Sequence, residues 1–233
     1  MEKKHINNKE KKITPLKFLR RRWSTIGLFS AIVAGVYLIF DWKELVFLQK
    51  LLILNFIAVL IHQFEEYSWP GGFPAVANMV LMRSAKPDRY PLNQNSSMVT
   101  NLIFAYGFYL VPVFFPNVIW LGLAPVLLGL TVQFFGHVIY ANMKLRTFYS
   151  PGTASTVFGW LPIGVIYIYY IVANNMVNLW GWLLAVVWMA VFVFLDFYII
   201  EQKLLGGKNS PYPFDKDQME SGGVKKKLER ARR

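Results

Sequence analysis

The chain alternates long apolar runs with short polar segments, and the lengths of the runs indicate its architecture. Six runs are long enough to cross about 30 Å of hydrocarbon as helices. They cover residues 23–40, 45–64, 99–115, 118–143, 156–173 and 179–200. A further apolar run, 73–82, is too short to span and favours a re-entrant or interfacial helix. The pattern predicts an all-α polytopic membrane helix bundle with about six transmembrane helices plus this short helix.

The composition agrees with this pattern and divides the chain into parts. Apolar residues make up 55% of the chain and charged residues only 16%, whereas soluble domains carry about 25% charged residues. Of the lysines and arginines, nine lie in residues 1–22, nine in 201–233 and seven between them. A soluble globular fold is therefore excluded. We expect a basic cytoplasmic arm (1–22), a six-span membrane domain (23–200) and a disordered basic cytoplasmic tail (201–233).

The basic residues also indicate how the spans are oriented. With both termini in the cytoplasm, the inner segments hold 23 of the 25 lysines and arginines, and the outer segments hold only Lys43 and Lys50. The positive-inside rule then predicts a multi-pass protein of the cell (cytoplasmic) membrane. The net charge of +12 belongs to tails beside the lipid bilayer, which favours anionic lipid headgroups over nucleic acid as a partner. The sequence identifies no protein partner.

The second run ends in a group of ionisable residues. His62, Glu65 and Glu66 occupy positions i, i+3 and i+4, so they project from one face of a helix. Each such group costs about 2.5–3.5 kcal/mol at the bilayer centre. Two carboxylates in a poorly hydrated place must be protonated, paired with cations or bound to a metal. The alternative is that both glutamates lie just beyond the membrane edge as solvated charges.

The fourth run carries a second polar group near its cytoplasmic end, Gln133 and His137. Both runs cross from outside to inside, so His137 should lie at a depth similar to that of His62. Imidazole and carboxylate ligands suit Zn, Fe or Mn, and the absence of cysteine excludes a thiolate site. We predict a divalent metal with His62, Glu65 and His137 as ligands. Taken alone, His137 is as readily explained by a hydrogen bond across a helix interface.

Three further residues are assigned catalytic roles. Glu66 is the predicted general base, although the sequence leaves the roles of Glu65 and Glu66 interchangeable. Arg146 and Tyr149 follow in the loop after His137, where we expect them to bind an anionic headgroup or a developing negative charge. The sequence contains none of the signatures of soluble hydrolases or nucleotide-binding proteins.

Residues 62–74 (HQFEEYSWPGGFP) resemble the defining element of the HXXEE family of bacterial and archaeal membrane proteins. That family also has a later histidine with an amide four residues before it, followed by a Tyr-x-Pro-Gly element. Residues 133–137 and 149–152 correspond to these, with Gln133 in place of an asparagine. The resemblance covers roughly residues 45–170 in three elements. It implies a metal-dependent membrane enzyme without an established reaction.

Other interpretations remain open beside a metal-dependent hydrolase that acts on a lipidic or membrane-embedded substrate at the cytoplasmic end. A proton-coupled transporter or channel would use the same cluster as a relay, but the outer leaflet offers few polar residues beyond Asn55. A non-catalytic membrane partner or immunity protein would keep the cluster as a structural network. A likeness to intramembrane CAAX-protease-like proteases is distant, because it fails at Pro70 and Gln133 and lacks a further histidine.

Overall fold

The computed structural model describes residues 14–232, and no β-strand occurs among them. Six helices have the length and apolar composition to cross a membrane, which confirms the predicted polytopic bundle. The helices in chain order are α1 (Pro15–Phe40), α2 (Phe47–Tyr67), α3 (Phe73–Ala75, continued as a π-helical segment, Val76–Leu81), α4 (Gln94–Phe114), α5 (Ile119–Leu145), α6 (Thr153–Ala173), α7 (Leu179–Leu204), α8 (Lys216–Glu220) and α9 (Val224–Ala231). The short apolar run thus forms a short helix, α3.

Local sequence signals explain where the helices begin and end. Thr14 caps α1, because its Oγ1 accepts a hydrogen bond from the Lys17 N–H, and Pro15 occupies the first helical position. The helix therefore begins eight residues before the apolar run, and its first turns lie in the predicted basic arm. Residues 1–13 of that arm lie outside the described part of the chain. Asn93 caps α4 in a capping box with Ser96.

The second span lies at the centre of the bundle. Of the most apolar window of α2, 61% is buried, against 39% or less in the other five spans. Leu52 and Leu60 of α2 pack in the core with Tyr109 of α4, Leu123 of α5 and Tyr167 of α6. Because α2 contacts α1, α4, α5 and α6, the ionisable residues at its C-terminal end are enclosed by neighbouring helices.

Four spans contain π-helical segments, and all of them lie at the end of the bundle that carries His62 and His137, which we call the site end. The segments are Thr100–Ala105 in α4, Gly129–Ala141 in α5, Thr156–Trp160 in α6 and Phe194–Leu204 in α7. A π-helical turn is wider than an α-helical turn and is frequent at functional sites. The helices therefore depart from regular geometry where the polar residues gather.

The segment after α7 differs from the disordered tail expected from its Gly/Ser/Pro-rich and basic composition. It contains α8 and α9, and its apolar side chains Phe214, Val224 and Leu228 are buried. Val224 and Leu228, four residues apart, pack against α3 and the end of α5. The composition of the segment does not reveal this order, because the apolar surface that Val224 and Leu228 cover belongs to α3 and α5, which are distant in the sequence.

Polar contacts fix the same segment to the site end of the bundle. Arg21 of α1 pairs with Asp215 and, at 2.6 Å, with Asp217. The Lys227 ammonium donates to the Tyr149 carbonyl oxygen at 2.9 Å, and burial lowers the pKa of Lys227. The Tyr149 loop therefore lies beneath the C-terminal segment.

The distribution of basic residues predicts the orientation of the bundle, and the cysteine-free chain allows a direct test. Asn174, between α6 and α7, and Lys208, after α7, are both exposed. Cysteine at Asn174 should react with a membrane-impermeant maleimide in intact cells, whereas cysteine at Lys208 should react only after lysis. The cysteine-free parent is the control. Labelling of the Lys208 variant in intact cells would reverse the predicted orientation.

Candidate metal centre

Three buried side chains from two spans converge at the site end, His62 and Glu66 from α2 and His137 from α5. One possible ligand atom from each lies within 4.8 Å of the other two. Glu66 Oε1 is 3.5 Å from His62 Nε2 and 3.3 Å from His137 Nε2. In a tetrahedral site with ligand bonds of about 2.0–2.1 Å, neighbouring ligand atoms lie about 3.4 Å apart. The three residues could therefore hold a metal ion.

The hydrogen bonds of Ser155 fix the tautomer of His62. Ser155 Oγ donates its single proton to Glu65 Oε2 at 2.5 Å, so it must accept from the Nδ1–H of His62, 2.9 Å away. Nε2 of His62 then carries the free lone pair. This atom is buried and has no hydrogen-bond partner among the described residues. The ring thus presents a bare nitrogen to Glu66 and His137.

A backbone carbonyl fixes the tautomer of His137 in the same way. Nδ1 of His137 lies 3.0 Å from the Pro151 carbonyl oxygen, and because a carbonyl only accepts, Nδ1 must donate. Two imidazole lone pairs and the Glu66 carboxylate then face one another. That arrangement is repulsive unless a proton or a cation lies between them. Outer hydrogen bonds of this kind typically orient metal-ligating histidines.

The neighbouring carboxylate, Glu65, is held entirely by hydrogen-bond donors. Its Oε1 accepts from the Tyr149 hydroxyl at 2.9 Å and from the Ala154 N–H at 3.0 Å. Its Oε2 accepts from the Ser155 N–H at 2.8 Å and from the Ser155 hydroxyl. Because Ala154 and Ser155 belong to the first turn of α6, the carboxylate also lies at the positive end of that helix. The structure thus distinguishes the two glutamates that the sequence left interchangeable.

Gly152 allows the α5–α6 loop to approach both imidazoles. Its φ of 93° is in the left-handed region, which favours glycine. A Cβ atom there would lie 2.5 Å from Nδ1 of His137 and 2.8 Å from Cε1 of His62. The Pro151 carbonyl, one residue earlier, is the acceptor that fixes His137. The Tyr-x-Pro-Gly element therefore places an acceptor and a close backbone approach at the site.

Of the two loop residues assigned to substrate binding from the sequence, Tyr149 contacts the site through Glu65 and Arg146 does not. Burial and the Glu65 carboxylate raise the pKa of Tyr149 above its usual range, so the phenol remains a hydrogen-bond donor. Arg146 is exposed and lines a separate surface depression with Met143 and Phe148. Its left-handed backbone conformation ends α5 and points to a local role in terminating the helix.

A cavity of about 60 Å³ adjoins His62, Glu66 and His137. Gln133, the amide four residues before His137 in the family resemblance, lies in its wall. Two further acidic residues, Asp196 and Glu201, line this cavity and are buried. Neither was a site residue predicted from the sequence, and Glu201 was expected to belong to the tail. Their spacing of five residues suggests no shared face in an α-helix, but α7 is π-helical there, and residues five apart are about one turn apart.

A second concavity, an apolar groove of about 540 Å³, opens on the outside of the bundle. Its walls include Leu28 of α1, Ile61 of α2 and Phe158 of α6, and its polar end is formed by Glu65 and Tyr149. The groove and the cavity share no lining residue, but Glu65 and Ser155 at the groove are joined to His62 by hydrogen bonds.

Residues 53–167 match the family described as "Protein of unknown function with HXXEE motif", and this part of the chain belongs to that family. The match contains the His62 motif, Gln133, His137 and the Tyr-x-Pro-Gly element, so the resemblance seen in the sequence is confirmed. No curated protein and no solved structure matches the chain at a significant level.

Substitution of Gly152 tests whether the loop approach is required for the site. Gly152→Ala should displace both imidazoles and lower zinc affinity at least tenfold, in the range of lost outer-shell partners. The matched control is Gly136→Ala in α5, where an added Cβ has no atom within 4 Å. Affinity is measured by competition with a chelator, and thermal unfolding in detergent reports the fold. Equal affinity in the two variants would contradict this role of Gly152.

Proposed function

We propose that this HXXEE protein is a metal-dependent membrane enzyme, a hydrolase that acts on a lipidic substrate from the cytoplasmic side. One observation carries the proposal. Two histidines with protons fixed on Nδ1 direct bare Nε2 atoms toward a buried carboxylate, at separations that suit a metal ion. A purely structural hydrogen-bond network would instead need a proton on Glu66 or on one of the imidazoles as the donor among these three acceptors.

The residues present fit a catalytic divalent metal. Two imidazoles and one carboxylate form a set of three protein ligands, which leaves a coordination position for water or substrate. Zn, Fe and Mn all suit such a set. A bound ion would supply Lewis-acid chemistry, polarising a carbonyl or phosphoryl oxygen and acidifying water. The adjoining cavity leaves room for a small reactant beside the three ligands.

The contacts favour Glu66 as the ligand and Glu65 as a positioning residue, whereas the assignment from the sequence made Glu65 the ligand and Glu66 the general base. All four acceptor directions of Glu65 are taken by donors from Tyr149, Ala154 and Ser155. A carboxylate so occupied has no free lone pair for a metal or a substrate proton. Glu65 instead holds Ser155 in the orientation that sets the tautomer of His62.

The apolar groove supports a substrate with a long hydrocarbon chain. It lies on the outer surface of three spans, α1, α2 and α6, where lipid tails would surround the protein, and only its end at Glu65 and Tyr149 is polar. A lipid chain in the groove would bring its polar end to these residues. Since Ser155 joins Glu65 to His62, the polar end of the groove lies beside the three ligands.

Metal content tests the proposed centre. After chelation and reloading with zinc, His62→Ala, His137→Ala and Glu66→Gln should each lose one equivalent of bound zinc, and the double histidine variant should lose no more, because the ligands act as one unit. Glu65→Gln should still take up one equivalent at saturating zinc but with at least tenfold lower affinity, because Ser155 no longer fixes His62. It should also lose about 2 kcal/mol or more of stability, since an amide nitrogen replaces an acceptor of charge-assisted hydrogen bonds.

The matched control is Asn55→Ala, a buried polar residue on the same helix two turns away from His62. It should leave the zinc content unchanged. Zinc content is measured by mass spectrometry of the purified protein. If wild type binds no Zn, Fe or Mn, or if the histidine variants keep the wild-type content, the metalloenzyme is rejected in favour of a proton relay.

Substitution in the groove tests the lipidic substrate. Gly159→Leu should fill the groove, because a Cβ at this position contacts only Ala58, at 3.4 Å. We expect hydrolysis of long-chain phospholipids in a lipid panel to fall at least tenfold, while hydrolysis of short-chain analogues is retained. Gly107→Leu, in an apolar depression between α4 and α7, is the control. Equal losses for both chain lengths would contradict chain binding in the groove.

A further inference from the structure

We infer that the cavity binds a second divalent cation, held by Asp196 and Glu201 of α7 and the side-chain oxygen of Gln63, in addition to the one at His62, Glu66 and His137. The inference deepens the proposed function, since both cations would occupy one cavity. It assigns a role to the acidic pair, which the centre described above does not use.

The cavity carries an excess of negative charge. Three carboxylates, Glu66, Asp196 and Glu201, line its volume of about 60 Å³, and each is at most 9% exposed. Among the described residues that line it, none is a lysine or an arginine. Burial of uncompensated carboxylates costs several kcal/mol each. One cation at Glu66 and the histidines leaves the pair on α7 without a positive partner.

An oriented amide provides an independent sign of a cation. Asn101 Nδ2 donates to the Ser97 carbonyl oxygen at 2.7 Å, so Asn101 Oδ1 is its accepting atom. That oxygen accepts from Gln63 Nε2 at 2.9 Å. Gln63 Oε1 is consequently directed elsewhere; it is buried and without a hydrogen-bond donor, and Gln63 is 1% exposed and lines the cavity.

Asp196 shows the same deficit of donors. Its Oδ1 is buried without a hydrogen-bond partner, and the residue is 5% exposed. The unpaired oxygens of Asp196 and Gln63 come from two different helices, α7 and α2, that both line the cavity. Unpaired acceptors from two helices suit a bound cation.

The ligand chemistry differs between the two sets of residues that line the cavity. Asp196, Glu201 and Gln63 offer only oxygen atoms, which favour hard cations such as Mg²⁺ or Mn²⁺. His62, Glu66 and His137 offer two nitrogens and one oxygen, which Mn²⁺ also accepts. A space of about 10–15 Å³ holds one water molecule, so the cavity has room for a cation with water ligands. Mn²⁺ is therefore a probe that both sets of ligands can bind.

Manganese stoichiometry tests the inference on the full-length protein in detergent. After removal of metals by chelation, equilibrium dialysis should give two Mn²⁺ per chain for wild type and for the exposed-surface control Glu44→Gln. Asp196→Asn combined with Glu201→Gln should bind one, and His62→Ala combined with His137→Ala should also bind one. The near-isosteric Asn and Gln replacements keep the shape of the acidic pair. Thermal unfolding with and without Mn²⁺ reports whether each variant folds.

The outcomes separate this inference from the proposed function. A wild type that binds one Mn²⁺, lost in the histidine variant and kept in the acidic-pair variant, would overturn the second cation and leave the metal centre intact. One Mn²⁺ lost only in the acidic-pair variant would overturn the proposed centre at the histidines. If the acidic-pair variant does not fold, the number of Mn²⁺ ions bound per wild-type chain decides alone. Fewer than two overturns the second cation.

Discussion

The geometry of the site depends on one buried carboxylate, Glu65, which joins the end of α2 to the beginning of α6. Its four hydrogen bonds hold the first turn of α6. Ser155 in that turn sets the tautomer of His62, and the preceding Pro151 and Gly152 orient His137 and approach both rings. The two histidines are separated in sequence by α3, the whole of α4 and most of α5, yet they are aligned through the same short segment.

The buried carboxylates differ in how far the protein itself compensates their charge. Glu65 is neutralised by donors and by the helix dipole, and hydrogen bonds to a charged group contribute about 1.5–3 kcal/mol each. Four such bonds offset a desolvation cost of several kcal/mol. Glu66, Asp196 and Glu201 have no comparable set of donors among the described residues. This difference separates a carboxylate that builds the scaffold from carboxylates suited to bind cations.

The C-terminal segment covers one side of the site end of the bundle, whereas the groove between the spans is open. Val224 and Leu228 of α9 cover α3 and the end of α5, and Lys227 holds the Tyr149 loop. Gly72 has a φ of 100° and lies so close to Ser221 that a Cβ atom would clash with the Ser221 carbonyl. The apolar groove opens laterally between α1, α2 and α6 instead. A molecule that arrives from the bilayer would reach the polar end of the groove without displacing this segment.

The sequence by itself determined the number of spans. It also indicated that the polar residues of the second and fourth spans lie at the same end of the bundle. The length of an apolar run is a local property, and ionisable residues within such a run stand out. His62, Glu65, Glu66 and His137 could therefore be singled out from the pattern alone, with Glu65 taken as the ligand where the structure groups Glu66 with the histidines. Tyr149 was expected to bind an anionic headgroup or a developing negative charge, and in the structure its hydroxyl donates to Glu65. The clustering of polar groups at one end of the bundle followed from the alternating direction of the spans.

Only the tertiary structure decided what each carboxylate does. Glu65 and Glu66 are adjacent and chemically identical, and they differ only in the groups that other helices place around them. Glu201 looked like part of a tail because its relation to Asp196 depends on a π-helical turn. The order of residues 216–231 and the position of Arg146 outside the site likewise depend on contacts between segments that are distant in the chain. Burial, donors and apolar partners come from residues distant in the chain, and a local pattern does not contain them.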